Sequence, residues 1–402
     1  MVLSPVSTEE LSVAGRRRLH DALTRHLDSG LVPGVVALVS RDDDVHVEAL
    51  GTAAVGGSNP MLRDTIFRVT SMTKPITAAA ALVLVDEGVL RLDDPVVSVL
   101  PELAGRQVLT RIDGPLDDTV PAHRPITLRD LLTFRMGFGV LFAPVESHPI
   151  LQAEHELELR TLGPPIPPTP HTPDEWMRRL GTLPLMAQPG ERWLYNTGTH
   201  VLGVLVARVS GRPLATFLRE RVFEPLGMVD TGFSVAARDV DRLPPCYRVV
   251  PNSGALEIFD SAEGSQWSRP PVFPDGSGGL VSTVDDYLAF GRMLLGEGTY
   301  GGERVLSPTA VELMTTNHLS TRHRADAAVL LGDRGWGFGT AVADPGARGA
   351  DPPGFGWDGG YGTSWACDPA TGLVGVLMTQ RAETHEPSPV YRDFWASLAA
   401  AA

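Results

Sequence analysis

The run Ala78 to Val85 is apolar at every position, and it lies inside a helix that the pattern predicts over Ser71 to Glu87. A helix without a polar face cannot lie on a surface and has to be covered all round by other elements. The chain must therefore build layers on every side of this one segment. Pro75 is tolerated only in the first turn of such a helix, where its missing N–H has no helical partner. That fixes the helix start at Ser71.

The helix start carries chemistry. Of the 34 basic residues in this chain 33 are arginine, and the single lysine is Lys74, three residues after Ser71. Arginine cannot release its proton near neutral pH, whereas a buried lysine can. At a helix start, Ser71 and Lys74 share a face. The free N–H groups and positive end of the dipole favour negative charge on Ser71 Oγ and on an attacked carbonyl oxygen. The same positive end, together with burial, disfavours a protonated amine, so Lys74 is predicted to act as the base for Ser71. S-x-x-K alone is a weak signal because serine is common. The lone lysine, Pro75 and the buried helix are what separate it from a surface lysine that happens to follow a serine.

Bulk properties exclude several classes of function. The net charge is −14, from 34 basic and 48 acidic residues, which argues against nucleic acid or an anionic membrane as partner. Arg16-Arg17-Arg18 reads as a solvated helix face. The stretch Met1 to Glu10 has neither the basic nor the apolar region of a secretory signal, and no apolar stretch is long enough to span a bilayer. Two cysteines, Cys246 and Cys367, suit a reducing compartment, so the expected location is the cytoplasm. The eleven histidines are scattered, and His318 and His323 form no H-E-x-x-H or similar set, so no metal and no cofactor are expected.

At 402 residues two lobes are the default. Thr8 to about Ser29 reads as a helix with Thr8 as N-cap, and Gly34–Ser40 with Val45–Leu50 as a hairpin. Further helices are predicted at Leu128–Thr133, Asp174–Leu180, Thr199–Ser210, Ala215–Phe223, Asp285–Leu295 and Pro308–Thr315. Residues 143–173, which include Pro164-Pro165-Ile166-Pro167-Pro168, read as an irregular excursion of the kind that rims a binding site. Strands return at Gly335–Ala341, Gly356–Cys367 and Leu373–Thr379, and Ser388–Ala401 closes as a helix. Strands at both ends around a helical middle predict an α+β fold: one antiparallel sheet flanked by helices, with an inserted all-helical domain. Residues 1–92 plus 300–402 form the first part, and 93–299 the second.

A serine hydrolase of this kind needs a second proton-handling group and an oxyanion donor. Tyr195, in Gly190-Glu191-Arg192-Trp193-Leu194-Tyr195-Asn196-Thr197-Gly198, sits at a loop-to-helix junction and is the candidate for the first; a core tyrosine is the alternative. Gly356-Trp357-Asp358-Gly359-Gly360-Tyr361-Gly362 falls within a predicted strand, where glycines mark either close approach of a ligand or a bend. A strand edge there would offer an N–H to an oxyanion.

These three motifs, in this order, resemble the serine β-lactamase and penicillin-binding-protein superfamily, for which S-x-x-K is one mark. The resemblance is strongest to the esterase branch related to class C β-lactamases, the family VIII carboxylesterases and kindred transesterases. It runs from about residue 15 to 400 and is carried by Phe67–Pro75, Pro125–Thr133, Phe223–Met228, Ser277-Gly278-Gly279-Leu280 and Trp336-Gly337-Phe338-Gly339. It implies Ser71 as acyl-accepting nucleophile, Lys74 with Tyr195 as proton-shuttling pair, and an oxyanion hole from the N–H groups of Ser71 and Gly360.

Two departures from the family pattern stand out. Where the second motif is often Y-x-N, this chain has Tyr195-Asn196-Thr197, so an asparagine is missing or displaced. Where lactamases and peptidases carry K-T-G, it has Trp357-Asp358-Gly359, which removes a cation for a substrate carboxylate. The indole offers an apolar wall and one N–H donor instead, which places Trp357 and Gly359 beside Gly360 as expected substrate-binding residues. The implied activity is cleavage or transfer of acyl groups of small uncharged esters through an acyl-enzyme at Ser71. A D-amino-acid amidase or peptidase, a weak β-lactamase, and a non-catalytic binding homologue are the alternatives. The partner is a small-molecule ester, and the oligomeric state stays open.

Overall fold

β1 (Gly34–Arg41) is buried along nearly its whole length, as its Val-Val-Ala-Leu-Val run requires of a strand covered on both faces. It turns at Asp42-Asp43 into β2 (Asp44–Gly51), with Asp42 at a φ of 50°. The protein is seen in a computed structural model that describes residues 12–159, 169–251, 253–344, 352–382 and 388–399. Five later strands complete the sheet: β3 (Gly335–Trp336), β4 (Ala341–Val342), β5 (Phe355–Gly359), β6 (Thr363–Asp368) and β7 (Leu373–Thr379). Their order is β3-β4-β5-β6-β7-β1-β2, antiparallel throughout. Val35 pairs with Thr379, so early and late parts of the chain meet inside the sheet. The fold is α+β.

Six helices matter for the site: α1 (Val13–Asp28), α2 (Thr73–Asp86), α3 (Thr197–Ser210), α4 (Val284–Leu295), α5 (Thr321–Leu331) and α6 (Pro389–Ala399). Alternation along β1 divides its side chains between two cores. Val35, Ala37 and Val39 join Leu19 and Leu23 of α1 and Phe394 and Trp395 of α6. Val36 and Leu38 face the larger core, with Ile76 and Leu82 of α2 and Phe290 of α4. α2 is buried at every position from Thr73 to Leu84, as its composition demands. It packs on α3 and on Pro308–Thr315, while α4 lies against β1, β6 and β7.

Several elements differ from the sequence reading. α1 begins at Val13, with Ser12 Oγ accepting from the Gly15 N–H; Thr8 lies outside the described residues. Gly356–Cys367 is two strands rather than one, because Gly359, Gly360 and Gly362 interrupt the run and Gly362 takes a φ of 91° in the turn. Gly335–Ala341 is likewise a hairpin, bent at Gly339 with φ 84°. The excursion at 143–173 contains a helix, Pro149–Glu156, and its Pro164–Pro168 stretch lies outside the described residues. The segment expected to be all-helical also holds short strands, among them Cys246–Val249 paired with Leu256–Asp260. Cys246 and Cys367 are both free and buried. Among the described residues no single helix is long and apolar enough to cross a membrane.

Candidate active site

Ser71 occupies a single 3-10 turn, Thr70–Met72, that feeds directly into α2. Thr70 has a φ of 41°, a left-handed conformation that a β-branched residue adopts only under constraint. The constraint is visible. Thr363 Oγ1 donates to the Val69 carbonyl at 3.3 Å, and the Tyr287 hydroxyl donates to the Met72 carbonyl. Gly359 lies so close beneath that a Cβ there would stand 2.3 Å from Val69 O and 2.8 Å from Thr70 Oγ1. The turn that presents Ser71 is thus clamped from strands β5 and β6 and from helix α4.

Lys74, on the first turn of α2, is completely buried. Its Nζ lies 2.9 Å from Ser71 Oγ and donates to the Ser277 carbonyl at 2.8 Å. The ring of Tyr195 covers it, 4.5 Å from the centroid. Burial pushes the amine down from its ordinary 10.5 to about 7, against an opposing pull from the Asp275 charge. Desolvation is the leading cause.

Tyr195 precedes α3. Asn196 is held at φ 80°, ψ −59°, and the Thr197 N–H bonds back to the Tyr195 carbonyl at 3.1 Å, a strained γ-turn. Burial raises the Tyr195 phenol well above its ordinary value, with hydrogen bonds to Ser71 and Trp357 offsetting only part of the rise. At pH 7 this group is a protonated phenol.

A cavity of about 350 Å³ opens at Ser71. Gly360 and Asn196 line it beside the serine, and Phe233, Trp267 and Phe273 give it an apolar wall. A Cβ on Gly360 would meet nothing within 4 Å, so its backbone faces open space. Asn196, which directly follows Tyr195, stands at the cavity, while Thr197 is buried at the start of α3.

Trp357 and Gly359 occupy other places than expected. Neither lines the cavity. Trp357 Nε1 donates to the Tyr195 hydroxyl at 2.9 Å, so its one N–H is taken by the protein itself. Its ring packs among Trp336 and Tyr195, with Phe134 and Trp193 next in the same cluster. Gly359 underlies the Ser71 turn, where any side chain would collide with backbone.

Sequence reasoning assigned no role to three further residues. Asp275 and Ser277 line the cavity, and His200 on α3 reaches both, 3.0 Å from Ser277 Oγ and 3.3 Å from Asp275 Oδ1. Asp275 Oδ1 accepts the Ser277 N–H at 2.7 Å. Burial would raise the Asp275 carboxyl, but the His200 charge and the bonds from His200 and Ser277 hold it well below the usual carboxylate range. The Ser277-Gly278-Gly279-Leu280 signature was the one available pointer to this corner, and it names neither partner.

A family model described as Beta-lactamase matches residues 19–400. Protein Rv1367c of Mycobacterium tuberculosis is 42% identical over 363 residues, covering 88% of this chain and 87% of its own. Esterase EstB of Burkholderia gladioli is 31% identical over 390 residues, covering 91% and 90%. Among solved structures, EstCE1, a hydrolase with promiscuous acyltransferase activity, has a TM-score of 0.79 at 27% identity and covers 96% of this chain and 98% of its own.

Proposed function

Since this chain belongs to the β-lactamase family, we propose that it is a serine carboxylesterase or transesterase that forms an acyl-enzyme at Ser71. The observation that carries the reading is the buried Lys74 amine, 2.9 Å from Ser71 Oγ and lowered to about 7. An amine that is largely neutral just above that pH can take the serine proton as Oγ attacks an ester carbonyl. The oxyanion that forms would be met by the N–H groups of Ser71 and Gly360 at the cavity. When the C–O bond to the alcohol breaks, the leaving oxygen needs a proton, and the Tyr195 phenol can relay the one held on Lys74. Water, or a second alcohol, then gives its proton to the same pair and takes the acyl group, releasing an acid or a new ester.

The preference for uncharged esters rests on the third motif. Trp357 stands where a lysine would pair with a substrate carboxylate, and its N–H is already bonded to Tyr195. Arg269 is the cation among the described lining residues, and it is exposed, where solvent screens its charge. The apolar wall of Phe233, Trp267 and Phe273 suits an acyl chain. Transfer to an alcohol stands beside hydrolysis because EstCE1 bears both activities in its description.

The test sets p-nitrophenyl acetate and butyrate beside nitrocefin and a D-Ala-D-Ala peptide, with and without an added alcohol. Ester turnover, a fluorophosphonate adduct on Ser71 and loss of both in Ser71→Ala are the expected results. Turnover of the peptide or lactam far above that of the esters would overturn the esterase reading.

A further inference from the structure

α6 covers the face of the sheet opposite α2, and two of its residues, one helical turn apart, reach the β5–β6 hairpin. Trp395 Nε1 donates to Ser364 Oγ at 2.9 Å, and Ser364 Oγ donates in turn to Asp358 Oδ1 at 2.6 Å. That bond has a structural account, since it satisfies a buried indole N–H. The bond from Tyr391 is not called for in this way. Its hydroxyl, on a half-buried residue within reach of water, donates to the Gly359 carbonyl at 2.8 Å. The same carbonyl already accepts the Gly362 N–H at 3.3 Å.

We propose that Tyr391 is a positioning residue for the oxyanion site: by holding the Gly359 carbonyl, it aims the Gly360 N–H into the cavity beside Ser71. The inference rests on the reading of Ser71 as nucleophile and of the Gly360 N–H as an oxyanion donor. The carbonyl of Gly359 and the N–H of Gly360 belong to one planar amide and point to opposite sides of it. Whatever fixes one end therefore fixes the other. Gly360 lines the cavity, and among the described residues its N–H has no hydrogen-bond partner.

The amide needs such a restraint. It stands between two glycines, the residues that least resist a turn of the peptide plane. A Cβ on Gly360 would meet nothing within 4 Å, so packing on that side supplies no stop. Two donors on the carbonyl supply it from the other side. The phenol also draws electron density towards the carbonyl oxygen, which makes the N–H of the same amide a stronger donor. The benefit grows as charge develops on the substrate oxygen, so it acts on the transition state more than on the bound ester.

The experiment compares p-nitrophenyl butyrate with its thiono counterpart, in which sulfur replaces the carbonyl oxygen and accepts hydrogen bonds poorly. Tyr391→Phe keeps the ring and removes the donor. The Gly359 carbonyl retains its bond from Gly362, so the variant should fold, with parental circular dichroism. Its kcat/KM for the ester should fall about tenfold and that for the thionoester much less, so the ratio of the two falls. Trp395→Phe, which loosens the same helix without touching the amide, should leave the ratio at the parent value. A ratio unchanged in Tyr391→Phe, or lowered equally in both variants, would overturn the proposal whatever the loss of rate.

Two further measurements keep the question decidable. 3-Fluorotyrosine incorporated at position 391, the same ring with a stronger donor, should raise the ratio, and it decides alone if Tyr391→Phe does not fold. If the unaltered protein does not turn over the thionoester, butyl trifluoromethyl ketone takes its place. Ser71 Oγ adds to the ketone carbon, the π pair moves to oxygen as an oxyanion, and the serine proton passes to Lys74. Its inhibition constant should rise about tenfold in Tyr391→Phe, and an unchanged constant overturns the proposal. Absence of ester turnover and of fluorophosphonate labelling in the unaltered protein would instead remove the reading of Ser71 as nucleophile, and this inference with it.

Discussion

The indole N–H of Trp357 donates to the phenol oxygen of Tyr195 at 2.9 Å, joining strand β5 to the loop before α3. A lysine at position 357 would bring a full positive charge to the phenol and favour its ionised form. An indole brings a hydrogen bond without the charge. Tyr195 therefore stays protonated while one lone pair of its oxygen is occupied, which leaves its O–H to be aimed elsewhere. The indole thus sets the hydrogen bonding of the phenol that is proposed to relay protons.

Trp357→Phe keeps the ring and deletes the N–H. The expected outcome is a fall in kcat of about tenfold, the worth of one hydrogen bond in a buried site, with KM little changed. Steady-state kinetics with p-nitrophenyl butyrate would check this. A rise in KM at constant kcat would assign the indole to substrate contact instead.

Lys74→Arg retains the positive charge and gives up the removable proton. Folded variant protein should lose roughly 10²–10⁴ in kcat/KM. In the parent enzyme kcat/KM should climb as pH rises through about 7, where the amine becomes neutral, and fall below it. A parent profile flat from pH 5 to 9 would contradict the assignment.

The same amine has a cost in stability with a defined pH window. Its value falls from 10.5 to about 7 on folding, so between these limits the unfolded chain binds the proton that the folded chain rejects. The penalty is absent above 10.5, grows as pH falls, and is complete below about 7, on the order of 5 kcal/mol at most. Lys74→Met should accordingly raise stability at pH 6, and the gain should shrink by pH 10. Urea unfolding at the two pH values measures it; an equal gain at both would point to packing alone.

Adjacent glycines should respond oppositely to a methyl group. Gly359→Ala places a Cβ 2.2 Å from Thr363 Oγ1 and 2.3 Å from Val69 O, so the Ser71 turn must shift; a loss of about 2–3 kcal/mol in stability and a large loss of activity are expected. Gly360→Ala meets open space and keeps its N–H, so stability should stay within about 0.5 kcal/mol and activity near the parent level. Thermal melts and ester assays on the pair decide it.

What could be read from sequence was whatever local chemistry fixes. Pro75 and the apolar run located the start and burial of α2, and the solitary lysine pointed to the amine that lies 2.9 Å from Ser71 Oγ. Tyr195 was legible as a junction residue, though not the strained turn at Asn196 that follows it. The partnership of His200 with Asp275 was invisible, because it exists only where α3 passes the 275–279 segment, and neither residue type is unusual. α5 escaped notice since Thr321–Leu331 mixes Arg, His and Asp with its apolar residues and shows no clean stripe. Trp357 was placed in the right neighbourhood with the wrong partner: spacing brings a residue to a site but does not say which way its N–H points.

The central pairing of the sheet has a consequence for how the protein is made. β1 is hydrogen-bonded on one side to β2, formed at once by a two-residue turn, and on the other to β7, about 340 residues later in the chain. During synthesis the β1–β2 hairpin must wait, with one apolar edge open, until nearly the whole catalytic apparatus has emerged and β7 arrives to close it. Pairing at such sequence separation is slow, and an exposed edge in the interval invites association with other chains. A late truncation that removes β7 would thus leave an unfinished sheet at the heart of the molecule rather than a shortened enzyme.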